Sequence, residues 1–139
     1  MRRSAVRSLL LLAVAIWSGP AGAAQMPPDT EAQEVILRQL AAFRAGDYRT
    51  AYTFASKQIQ AVFDLADFER MVKTGYPQIA QSVGAWVTET ETLPNGAVHI
   101  YLRVRGADGV FIVARYEMLR EEPGWRINGV AARRDPATF

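Results

Sequence analysis

The chain has 139 residues, 16 Lys+Arg against 14 Asp+Glu, one His, no Cys, and a half-hydrophobic composition. The absence of cysteine excludes disulfides, thiolate zinc sites and a cysteine nucleophile. The length suits one domain with its own core, and one His with no Cys argues against a His/Cys metal site.

Arg2, Arg3 and Arg7 precede a nine-residue apolar run at 9–17, followed by Ser18-Gly19-Pro20 and the small residues Ala21-Gly22-Ala23-Ala24. A basic start, a short apolar stretch and a small-residue site in this order form a secretory signal peptide. The apolar run is less than half of the about 20 residues an anchor needs. Residues 1–24 are therefore expected to be a leader cleaved after Ala23 or Ala24, the latter preferred, leaving no membrane anchor and a periplasmic or secreted protein. The leader takes away three arginines and no acid, so 13 basic residues face 14 acidic ones in the remainder. No clustered cationic surface of the kind nucleic acid demands is left.

Residues 25–32 read as a short arm and helix start, 33–131 as a single domain, and 132–139 as a tail. Thr30-Glu31-Ala32-Gln33 has capping-box spacing. Val35, Ile36, Leu40 and Phe43 recur at helical period, and Gly46 suits a left-handed cap. Asp47, Ser56 and Asp64 each precede a further helical segment as cap residues, the last over 65–74. Tyr76-Pro77 predicts an extended connection.

The period then falls to two. Residues 82–92 form a candidate strand, and Pro94-Asn95-Gly96 a hairpin turn. Val98, Ile100, Leu102 and Val104 alternate with His99, Tyr101, Arg103 and Arg105 in a half-buried strand. Residues 110–120 are apolar enough to suggest a strand covered on both faces, and 125–130 a last strand. The fold class is α+β, with N-terminal helices packed on a curved four-stranded antiparallel meander.

Several blocks carry a resemblance: Val35-Ile36-Leu37-Arg38-Gln39-Leu40-Ala41-Ala42-Phe43-Arg44, Ala51-Tyr52-Thr53-Phe54-Ala55-Ser56, Phe68-Glu69-Arg70-Met71-Val72, Gly75-Tyr76-Pro77 and Trp125-Arg126-Ile127-Asn128-Gly129-Val130. Over 33–131 the chain resembles a bacterial domain family of unknown function that looks like a compact member of the nuclear transport factor 2-like superfamily. That resemblance implies a sheet wrapped against helices in a cone with a pocket. It implies no particular activity.

His99 can be read as a general base, although no sequence neighbour supplies its partner. Asp64 and Asp67 read as a helix cap and a first-turn acid rather than paired catalytic carboxylates. Glu89 and Glu91 on one strand, with Arg103 and Arg105 on the next, suggest surface ion pairs. Arg115 interrupts an apolar strand, either as a cation for an acidic ligand or as a snorkelling surface residue. The expected pocket is lined by Arg115, Tyr101, His99, Tyr52 and Tyr76. It would take a small apolar or acidic ligand, with no cofactor, no metal and no assigned catalytic residue. A homodimer through the sheet face is a further expectation. The alternative is an isomerase- or hydrolase-type enzyme of the same fold using a pocket His or acid.

Overall fold

The computed structural model describes residues 28–122 and 124–136. The leader expectation lies outside the described residues. Among those described, no helix is long and apolar enough to cross a membrane.

Helix α1 (Pro28–Arg44) buries Ala32, Ile36, Leu40 and Phe43 along one stripe. It starts earlier than the Thr30 capping box predicts. Proline suits the first turn because its missing N–H would be unpaired there anyway. Asp29 and Glu31 add carboxylates where the helix dipole favours them. The far end closes as a Schellman motif. Gly46, at φ +69°, donates to the Phe43 carbonyl, and the Asp47 N–H donates to the Ala42 carbonyl.

Asp47 also caps α2 (Tyr48–Thr53), its carboxylate accepting from the Thr50 N–H at 3.1 Å. Ser56 caps α3 (Lys57–Val62) through Ile59 N–H at 3.2 Å, and Asp64 caps α4 (Leu65–Gly75) through Asp67 N–H at 2.8 Å. Asp64 and Asp67 thus play structural parts, and Asp67 pairs with Arg70 at 2.8 Å. Tyr76 stays outside the helical region at φ −138°, ψ 58°, as a pre-proline residue should. The expected extended connection is instead a four-residue helix, α5 (Pro77–Ala80), with Pro77 in its first turn.

The sheet is an antiparallel meander in the order β1 (Ser82–Thr92), β2 (Val98–Gly106), β3 (Phe111–Arg120), β4 (Trp125–Arg134). The helical layer covers one face. Under it lie Val98, Ile100, Leu102 and Val104 of β2, Ile112, Ala114, Tyr116 and Met118 of β3, and Trp125 and Ile127 of β4. The other face of β3 has no second layer. Phe111 and Val113 there are half-buried and Arg115 is exposed, so this strand is covered on one side, not both. Phe111 takes its cover from neighbours on the same face, with the Arg103 guanidinium 3.9 Å above its ring and Trp86 stacked at 6.3 Å. Strand β4 runs through Arg134, beyond the Ala131 end expected of the domain.

Glu89 and Glu91 face Tyr101 and His99, while Arg103 and Arg105 face Trp86 and Gly84. The expected pairs of Glu89 and Glu91 with Arg103 and Arg105 do not form, and Arg103 pairs with Asp135 at 2.7 Å.

A bulge in β4 joins the two layers. Glu117 opposes Gly129 and Met118 opposes Ile127, so Asn128 is the extra residue. Its amide accepts from the Ser56 hydroxyl at 2.7 Å and donates to Glu117 at 2.9 Å. Beside it, Ser56 N–H donates to the Ile127 carbonyl and Ile127 N–H to the Phe54 carbonyl, both at 2.8 Å. As an edge strand, β4 has free ladder groups, and the turn before α3 takes them.

Candidate functional site

Strand parity divides the five expected pocket residues. His99, Tyr101 and Arg115 occupy the face of the sheet that the helices leave open. Tyr101 and Arg115 are direct cross-strand partners, as are His99 and Glu117. Tyr52 and Tyr76 belong to the helical layer on the other side. The structure brings Tyr101 and Arg115 together but not with Tyr52 or Tyr76.

His99 Nε2 lies 3.8 Å from Glu117 Oε2, beyond hydrogen-bond reach, and that carboxylate side chain is 42% exposed. A general base needs a positioned partner and space for a substrate. The buried carboxylate that the enzymatic alternative requires beside His99 is not in place. Tyr52 braces a turn: its hydroxyl donates to the Phe63 carbonyl at 2.6 Å, and its ring packs 5.2 Å from Phe68.

A cavity of about 250 Å³ lies between the helices and the inner face of the sheet. Its walls are the buried Phe43, Phe68, Val72, Ile79, Tyr116 and Ile127, from α1, α4, α5, β3 and β4. Half-buried Ile59, Phe63, Met71, Tyr76 and Val130 form its rim. Each element contributes because its apolar stripe faces inward. The cavity remains because short α3 and α5 leave a gap between longer neighbours.

Among its lining residues there is no Asp, Glu, His, Lys or Arg. Its polar groups are three. Gln39 donates from Nε2 to the Ala51 carbonyl at 3.1 Å. The Tyr76 hydroxyl donates to the Val130 carbonyl at 3.1 Å. The Tyr116 hydroxyl is fully buried and has no hydrogen-bond partner among the described residues. Burial pushes the Tyr116 phenol far above its ordinary range, and nearby Tyr76 pushes in the same direction. It is therefore a neutral group, able to donate one hydrogen bond and to accept another.

Of the expected residues, only Tyr76 lines this cavity. Tyr116 and Gln39 were the residues to find. Tyr116 shares parity with Ile112, Ala114 and Met118, and Gln39 is a polar residue beside Ile36 and Leu40 on the apolar stripe of α1.

On the open face, a shallow depression of about 230 Å³ is lined by Tyr101, Val113, Arg115, Ala131, Ala132 and Arg133. No group of His, Cys, Asp and Glu able to hold a metal ion occurs among the described residues.

A comparison with curated proteins returns no match. A family model, Domain of unknown function (DUF4864), matches residues 25–138 and so spans the whole of the described fold. The chain belongs to the DUF4864 family of domains of unknown function.

Proposed function

We propose that the domain is a binding module for a small, neutral, largely apolar molecule held between helices and sheet. The observation that carries this reading is a 250 Å³ apolar cavity whose wall includes Tyr116, with a buried hydroxyl that is unpaired among the described residues. Buried polar groups are almost always hydrogen-bonded, so an orphan needs an explanation. A ligand carbonyl, ether or hydroxyl supplies the missing partner. An apolar cavity of about 150 Å³ suffices for benzene. This one suits a single ring or a short branched chain, smaller than the ligands of drug-sized pockets. An anion would leave water without a counter-charge, at a high cost.

In this reading the helices and meander form a nuclear transport factor 2-like cone, and the cavity between them is its pocket. The protein is exported, and residues 1–24 are removed first. The mass of the periplasmic or secreted form tests this, since a chain still beginning at Met1 would count against export.

Calorimetric titration with cyclohexanone and with benzoate tests the binding reading. Cyclohexanone should bind saturably and benzoate should not. Tyr116→Phe should weaken cyclohexanone about tenfold, the loss of one hydrogen bond of about 1.4 kcal/mol. Equal binding of both probes, or of neither, would overturn the reading.

A further inference from the structure

We infer that the open face of the sheet carries a second, separate site, for the carboxylate or phosphate group of a small anionic molecule, built from Arg115, Arg133 and Tyr101. The register fixes the arrangement. Tyr101 opposes Arg115, Arg115 opposes Ala131, and Val113 opposes Arg133. Arg115 and Arg133 are therefore diagonal neighbours on adjacent strands, a spacing within reach of long side chains. Both line the 230 Å³ depression, which Val113 and Ala131 floor with apolar surface and Tyr101 borders with a phenol.

What marks this patch is two arginines placed together around one depression. Like charges held side by side on a sheet are destabilising. Several arginines elsewhere have an acid partner: Arg103 has Asp135 at 2.7 Å, Arg70 has Asp67 at 2.8 Å, and Arg38 has Glu34 at 3.6 Å. Among the described residues neither Arg115 nor Arg133 has an ion pair or a side-chain hydrogen bond. The nearest acid along β3, Glu117, is already held by Asn128 and lies beside His99. Two uncompensated guanidinium forks around a concavity match an oxyanion that accepts from both. The phenol adds a neutral donor, and the apolar floor favours a group with a short hydrocarbon portion. The site is independent of the interior cavity, which lies on the other side of the sheet.

Calorimetric titration of the full domain with inorganic phosphate, and separately with acetate, tests this at fixed ionic strength set with chloride. Saturable binding is expected. Arg115→Gln and Arg133→Gln should each weaken it at least about tenfold, whereas Arg49→Gln, at an exposed position of α2, should leave it unchanged. Arg115→Lys should recover only part of the loss, because a point charge replaces a fork. Thermal melts check that each variant is folded. Cyclohexanone binding should be unaffected, so failure here and failure of the interior site are distinguishable. Absence of saturable binding, or equal binding by the glutamine variants, would overturn the proposal. So would self-association by light scattering that these variants abolish without any phosphate binding, because the face would then serve a second copy.

Discussion

Replacing Tyr116 by Phe in the ligand-free protein should stabilise it, which is unusual for a change at a residue 1% exposed. The hydroxyl loses its water on folding and gains no partner among the described residues, a penalty of about 1–3 kcal/mol. Phenylalanine keeps the ring and its packing and opens almost no new space, so little of the cavity cost of a truncation applies. The expected gain is about 1–2 kcal/mol. A domain of about 110 residues unfolds with an entropy near 0.23 kcal/mol/K, so Tm should rise by about 4–8 °C. Thermal unfolding followed by circular dichroism measures this. Urea titration should show a higher midpoint with an unchanged slope. A variant less stable than wild type by about 1 kcal/mol or more would refute the reasoning, because the hydroxyl would then have a partner in the free protein.

Three further outcomes follow from the packing. Asn128→Ala should cost about 1–3 kcal/mol in urea unfolding, since it removes the acceptor of the O–H of Ser56, which is 0% exposed; a loss below about 0.5 kcal/mol would show the bulge amide to be dispensable. Gly106→Ala should destabilise by about 1–3 kcal/mol, because its Cβ would fall 2.6 Å from Asp108 Oδ1 and 3.1 Å from the Gln78 Cα. Gly129→Ala, whose Cβ meets nothing within 4 Å, should be neutral or stabilising by up to about 1 kcal/mol; the reverse order of melting temperatures would contradict both. Alkaline pH should unfold the protein partly through Tyr116. Its folded-state proton is held above the unfolded phenol's value, so this stability is complete below about pH 10 and is lost as pH rises beyond it. Wild type should lose about 1.4 kcal/mol per pH unit more than Tyr116→Phe in that range, and parallel curves would contradict the assignment.

Local chemistry was legible in the sequence. The Gly46 close and the Asp47, Ser56 and Asp64 caps each involve groups within a few residues, and all appear as expected. The helices-then-meander order was legible for the same reason, through its change of period and its turn residues. The site was not. Alternation places His99 and Tyr101 opposite Val98 and Ile100, but not which set the helices cover. Arg115 attracts attention as a charge in an apolar strand, yet its neighbour Tyr116 has the inward parity. Asn128 gains its role from a register shift between β3 and β4, a long-range property that no local pattern encodes. Gln39 and Tyr76 reach the cavity only through the docking of α1 and α5 against the sheet.

The central claim is that the space between helices and sheet holds a small neutral ligand. Titrating the isotope-labelled domain with cyclohexanone and following backbone amide resonances tests it most directly. The account predicts saturable shifts at Phe43, Phe68, Tyr116 and Val130, around the cavity, with Val113 and Ala131 on the open face unmoved. Shifts confined to the open face, or none up to the solubility limit of the probe, would contradict it.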